Sequence, residues 1–443
     1  MKTLGSTALA LSIWFIATLA TTQSQTYLPF CSMNDTATTT GTPPSMTGGV
    51  FIPSLTGDKE YRVLIVWVLF ADDTTTTAEW DSLNVLPVWA RAMVDSVKGD
   101  INDEGNNISS YYRRNSFYRF NLVGNVRLVT LDSSEITYHN YNPRGDHDPN
   151  FCRARLTYDA LYKLSTNYPT INLNNFDKWK TPAPYVHHDS SDGYVDNVWL
   201  LLRNYHPGLG AVDFSKTGAF LEIEGLTPGT YGDLSVQSKS FPTDTAVELS
   251  PKLWKHGGIS LFGSCMHAPR GMRNTGSPTL EGTLIHEMSH HFFGKGHFGM
   301  ADDMYSADAF TAYSANSGNC FGNHLGIEKL RLGWIKGPQI VKLSDSAYAL
   351  TTSLYDINTN DSTRPVLAEV NIAGSGKKTY LEYRGDNNFD TRYVPYNQPS
   401  ATLTPGLLAY QVTTDDQSLP DIKAKFINAD GNWDWAVQQD DTA

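Results

Sequence analysis

Cysteine is scarce in this chain. Its four residues, Cys31, Cys152, Cys265 and Cys320 among 443, allow at most two disulfides, and spacing does not choose among the three pairings. Charge is sparse as well. Asp, Glu, Lys and Arg make up 18%, the formal net charge is -12, and no basic cluster interrupts the acidity. Nucleic acid and anionic membrane surfaces need clustered cations, so neither is an expected partner. Beyond the N-terminus no apolar run approaches the roughly 20 residues that span a bilayer, so no stable membrane association is expected. No internal repeat is evident. What is present is a 40% apolar, globular composition, long enough for one large domain or two ordinary ones.

Lys2, the apolar run Ala8–Leu19 and the small residues Thr18 and Ala20 read as a signal peptide over residues 1–20, cleaved after Ala20. The expected location is therefore secreted and extracellular. In that oxidising route the cysteines are expected to pair. Cys31 has a second reading, as a thiolate that caps a metal in a latent form. Three glycosylation sequons fit the same route: Asn34-Asp35-Thr36, Asn107-Ile108-Ser109 and Asn360-Asp361-Ser362. Residues 21–58 are rich in Thr, Ser, Pro and Gly without apolar period, and read as a leader. The polar ending QQDDTA shows no closing element, so the chain is read as open to continuation.

Periodicity predicts an α/β fold. Tyr61–Phe70 is a long apolar run with Arg62 as its one charged residue, the pattern of a strand buried on both faces. Pro87 opens a predicted helix over VWARAMVDSVKGDI (88–101). Residues 107–130 read as a short helix and then a hairpin, FYRFNLV and VRLVTL turning at Gly124-Asn125. A helix is expected from Cys152 on the spacing of Leu156, Leu161 and Leu164, and a strand over Tyr194–Arg203. Residues 204–276 read as loop-rich. Thr279–Phe293 is predicted helical, started by Ser277-Pro278, ended by Gly294, with Leu280, Leu284, Met288 and Phe292 on one face. A further helix is expected over His324–Leu332. Downstream, AYALTTSLY (347–355), RPVLAEVNI (364–372), TYLEYR (379–384) and GLLAYQV (406–412) read as strands. The organisation expected is a mixed α/β region over 59–336 and a smaller β-rich region over 337–443.

The chemistry concentrates in His286-Glu287-Met288-Ser289-His290. Four residues on a helix advance about one turn, roughly 6 Å, so both imidazoles leave one face and can grip one ion. Neutral imidazole suits Zn²⁺. Zinc with an open position lowers the pKa of a bound water to about 7. Glu287 is placed as general base toward that water and then returns the proton to a leaving amine. A third ligand is expected downstream. In one known arrangement glycine and then histidine follow the second ligand at fixed intervals. Gly294 and His297 occupy those places when counted from His291, one residue late from His290; a π-bulge absorbs one such residue. His297 is the choice on that reading, with Asp302 and Asp303 as competitors. His291 lies about 100° from His290 around the helix and reads as a packing residue.

These residues and several others resemble the immune inhibitor A-like secreted metallopeptidases, relatives of the metzincins. YRVLIVWVLFAD (61–72) is similar to their first core strand, and YYRRNSFYRFNLVGNV (111–126) to their Tyr-rich segment. DGYVDNVWLLLRNYHPGLGA (192–211) resembles their strand entered through an Asp-Gly turn. LGIEKLRLGWI (325–335) looks like the helix closing their catalytic domain, and YLEYRGDNNFD (380–390) and GLLAYQV (406–412) resemble their later strands. The resemblance implies a metzincin-like zinc peptidase domain with a mixed sheet and an active-site helix, one catalytic Zn²⁺, protein or peptide as substrate, and secretion. It carries over His286, Glu287 and His290 directly. The family usually continues from its second histidine to Gly-x-x-Asp, where this chain has Gly294-Lys295-Gly296-His297. Asp302-Asp303-Met304-Tyr305 resembles the acidic-aromatic part, and FTAYSANSG (310–318) falls where a methionine turn is expected, with Tyr313, Met300 or Met304 in its stead.

Asp192, Asp196 and Asn197 offer oxygens of the kind Ca²⁺ takes, but Asp and Gly before a strand are also ordinary turn residues. Tyr305 or Tyr313 could serve an oxyanion or simply pack. His187-His188 reads as a loop pair, and Glu382 as an ion-pair partner. The leading functional reading is a secreted zinc endopeptidase. The second is a weakened or inactive homologue acting as a secreted binding glycoprotein. A third, with no specific support, is a zinc hydrolase of esters or amides.

Overall fold

The computed structural model describes residues 60–98, 107–141, 149–178, 195–206, 209, 218–221, 257–261, 265, 279–293, 324–344, 353–357, 359, 361–371, 377–385, 406–413 and 424–426. Among the described residues the protein is mixed α/β, with two five-stranded sheets. In the first, the strands are β1 (Tyr61–Leu69), β2 (Leu122–Thr130), β3 (Val198–Leu202), β4 (Gly218–Leu221) and β5 (Gly257–Leu261). Their order is β2-β1-β3-β5-β4. β2, β1, β3 and β5 run parallel, and β4 lies antiparallel on β5 at the edge.

β1 shows why this sheet is covered on both sides. Successive side chains of a strand point to opposite faces. Tyr61, Val63, Ile65, Trp67 and Leu69 enter one hydrophobic cluster, while Leu64, Val66, Val68 and Phe70 enter another. The second cluster is closed by α4 (Pro149–Asn167) through Leu156, Ala160, Leu161 and Leu164, with Tyr138 from α3 (Glu135–His139). The first is closed by α1 (Val88–Arg91), α2 (Ile108–Asn115), α5 (Leu280–Phe293) and α6 (Gly326–Arg331). It continues into the second sheet through Leu367, Tyr380, Tyr410 and Val412. That sheet runs in the order β10-β9-β8-β7-β6, from β6 (Ile340–Ser344), β7 (Leu367–Asn371), β8 (Lys377–Arg384), β9 (Gly406–Thr413) and β10 (Ala424–Phe426). β6 is parallel to β7 and the other pairs are antiparallel.

Three local expectations are corrected. The hairpin over 117–131 is not formed: Leu122–Thr130 is one strand, paired in parallel with β1. Gly124 is there for close approach, not for a turn. A Cβ on it would lie 2.6 Å from the Val63 carbonyl oxygen and 2.8 Å from Val63 Cγ2. The helix after Pro87 stops at Arg91, because the following residues are drawn into a buried polar knot. Asp95 there accepts from Arg113 (2.5 Å) and Asn107 (2.6 Å), and its carbonyl takes the Gly124 N–H (2.8 Å). Ser353–Tyr355 lie outside any strand. The Tyr355 N–H is spent on the Pro365 carbonyl, and Ile340–Ser344 is the first strand of the second sheet.

Asn107 of the second sequon is a buried N-cap. Its Oδ1 accepts from Ser110 N–H at 2.8 Å, and its Nδ2 donates to Asp95 and to the Ala92 carbonyl. The signal segment 1–20, the leader 21–58, Asn34, Asn360, Cys31, Cys320, His187 and His188 lie outside the described residues. Among the described residues no helix is long and apolar enough to cross a membrane.

Candidate metal centre

α5 runs without a break from Leu280 to Phe293. Thr279 caps it: its Oγ1 accepts the Gly282 N–H at 3.2 Å, and its carbonyl accepts Thr283 Oγ1 at 3.0 Å. Leu280, Leu284, Met288 and Phe292 are all buried, as their four-residue spacing requires. Each contributes about 1.5–3 kcal/mol of burial, which is what seats the helix. It packs against β4 and β5.

His286 and His290 follow Leu284 and Met288 by two residues each, so they sit roughly 200° around the axis from the apolar stripe. The helix thus brings the two histidine positions to one side, one turn apart. His286 is 3% exposed and Glu287 is fully buried. Ser289 is small and self-satisfied, its Oγ donating to the Ile285 carbonyl at 2.9 Å.

The helix is framed from below and from its C-terminal end. Asn197, just before β3, donates its Nδ2 to Tyr61 Oη (3.3 Å) and to Met288 Sδ (3.8 Å). Asp196 accepts the Lys178 N–H at 2.9 Å. Asn197 therefore faces the core beneath α5 and Asp196 serves the backbone; Asp192, the third of that trio, lies outside the described residues. Burial and the Asp196 charge push the Tyr61 hydroxyl well above the usual phenol range. Tyr112 of α2 donates to the Ile285 carbonyl at 3.4 Å, and its ring meets Phe292 edge-on at 5.8 Å. Phe120 and Trp334 also meet Phe292 edge-on, at 5.5 and 6.1 Å. Edge-to-face pairs contribute about 0.5–1.5 kcal/mol each beyond their burial. Burial alone raises the Tyr112 hydroxyl far above its ordinary pKa, so it stays a donor. No spacing rule leads from residue 112 to residue 285, so sequence reading gives Tyr112 no contact with α5.

The donor set on α5 is chemically suited to zinc, with two imidazoles at one-turn spacing and a carboxylate between them. His297, Asp302, Asp303, Met300, Met304, Tyr305 and Tyr313 lie outside the described residues, as do the side chains of His290 and His291. Among the described residues no group of three or more His, Cys, Asp or Glu side chains is arranged around a common point. Glu382, expected as an ion-pair partner, pairs with Arg384 (2.5 Å). No protein-family model matches the chain, and no curated protein matches it.

Proposed function

We propose that the chain is a secreted zinc-dependent endopeptidase of metzincin-like fold. The observation that carries this reading is α5 itself. One uninterrupted helix, seated by Leu280, Leu284, Met288 and Phe292, carries positions 286 and 290 one turn apart, with His286 and Glu287 buried. The parallel sheet with one antiparallel edge strand against which α5 packs supports it further.

Bound zinc supplies a Lewis acid that polarises a scissile carbonyl and acidifies a water. His286 and His290 would hold the ion, with His297 proposed as the third ligand. Glu287 takes the proton from the attacking water and returns it to the leaving amine. Its burial strengthens that role, since a carboxylate shielded from bulk water exchanges protons with the substrate rather than with solvent. β4 is an edge strand among the described residues. An extended peptide could therefore add to it through main-chain hydrogen bonds, near the helix that carries the ligands.

The test is cleavage of an unstructured protein by the purified full chain, beside Glu287→Gln. The expected result is cleavage by the parent, none by Glu287→Gln, and loss of parent activity on adding a zinc chelator. Retained zinc without cleavage by either protein would reject the peptidase and leave an inactive, binding homologue.

A further inference from the structure

The proposed chemistry gives no work to the second sheet. We infer that this sheet anchors the metal helix, with Glu382 and Tyr410 as positioning residues that act on α5 through α6. The inference rests on the zinc reading only for what α5 holds.

The argument starts at the exposed-backbone problem of a helix start. The first N–H groups of α6 have no partner within the helix. Here they are met from the second sheet. Glu382 on β8 is fully buried, and its Oε2 accepts the Gly326 N–H at 2.6 Å. The same oxygen accepts Tyr410 Oη at 2.9 Å, and Tyr410 Oη accepts the Ile327 N–H at 3.1 Å. Arg384 balances the buried charge on the other oxygen, through Nε at 2.7 Å and a terminal nitrogen at 2.5 Å. Burial and the Glu382 charge hold the Tyr410 hydroxyl well above its usual pKa, so it stays able to donate. The seat has no slack. A Cβ on Gly326 would lie 2.5 Å from Leu367 Cδ1 and 2.7 Å from Glu382 Oε2. Lys329, fully buried, donates to the Ile357 carbonyl at 3.0 Å and sits 5.5 Å over the Phe117 ring.

From α6 the path reaches α5 through rings. His324 and Trp334 flank α6 and meet each other edge-on at 5.5 Å. His324 lies 6.3 Å from the Tyr112 ring, and Trp334 meets Phe292 directly. Arg119, after α2, donates to the Trp334 carbonyl and to Gln339 Oε1 (2.6 Å), which ties the same box to the start of β6. Phe292 is two residues past His290. Packed interiors do not deform smoothly, so a displaced α6 must move the helical turn that contains His290. The second sheet thus sets where that turn lies through packing.

The experiment uses the full chain. Tyr410→Phe removes the hydroxyl and keeps the ring stacked on Tyr380 (5.8 Å); Glu382→Ala is the stronger variant. Peptide-resolved hydrogen exchange on metal-free protein compares α6, α5 and β1. Cobalt(II) alone is the metal probe, read by its visible spectrum and by competition with a chelator. Both variants should exchange faster in α6 and in the last turns of α5, with β1 unchanged. Cobalt affinity should fall several-fold with an altered visible band. Faster exchange in α6 alone, or equal acceleration in β1, would overturn the inference. If the parent binds no cobalt, the zinc reading fails on its own, and hydrogen exchange still decides whether the sheet anchors α5.

Discussion

Replacing Asp95 should cost more than any surface change in this protein. Asp95 is 1% exposed and Arg113 is 3% exposed, with the guanidinium 2.5 Å from one carboxylate oxygen. Asn107 Nδ2 donates to the other oxygen at 2.6 Å, and the Asp95 N–H goes to Ser109 Oγ at 2.9 Å. Asp95→Ala removes the carboxylate that lies 2.5 Å from a buried guanidinium. Breaking one side of such a pair costs about 3–5 kcal/mol, against a typical total stability of about 5–15 kcal/mol. The knot also holds α2, whose Tyr112 braces α5, so metal binding should weaken along with stability. Removing both charges, as Asp95→Ala with Arg113→Met, should cost less than Asp95→Ala alone, since the guanidinium is then removed with its carboxylate partner. Urea unfolding with an unchanged m-value reads each difference. A cost below about 1 kcal/mol for Asp95→Ala, or a double variant as costly as the two singles added, would refute the reasoning.

Gly124→Ala places a methyl against the Val63 carbonyl, which cannot swing aside, and should cost about 1–3 kcal/mol; an unchanged thermal midpoint would contradict this. Burial pushes the Glu135 carboxyl up, but hydrogen bonds from His139 and from the ring and backbone of His206 outweigh it and hold the pKa below the ordinary 4.5. A lowered carboxyl stabilises the fold above its unfolded value and stops doing so as pH falls through the folded value. The parent should therefore lose stability below about pH 4.5 faster than Glu135→Gln does, and parallel urea midpoints from pH 6 to 3 would rule this out. His297→Ala should abolish stoichiometric zinc binding while Asp303→Ala leaves it intact; the reverse pattern would transfer the third ligand to the aspartate.

The core of the fold was legible where one period dominates. β1 reads as a strand covered on both sides because every position from Val63 to Phe70 is apolar, and the structure divides those residues alternately between two clusters. α4 reads as a helix from the spacing of Leu156, Leu161 and Leu164, and α5 from Leu280, Leu284, Met288 and Phe292 between Ser277-Pro278 and Gly294. That positions 286 and 290 stand one turn apart on α5 needs only the pitch of a helix. The misreadings share a cause. Gly124-Asn125 carries the dipeptide chemistry of a turn, and the helix after Pro87 has acceptable local propensity. Both are overridden by partners far away in sequence, Val63 for one and Arg113 for the other. Local patterns determined which segments are apolar on which face, because side-chain direction repeats with the backbone. Tertiary structure decided that Gly124 is a strand contact, that Asn107 is a cap, and that Glu382 closes the start of a helix more than fifty residues earlier. Those roles depend on which backbone groups and charges are left unpaired when distant segments meet, and no local pattern contains that.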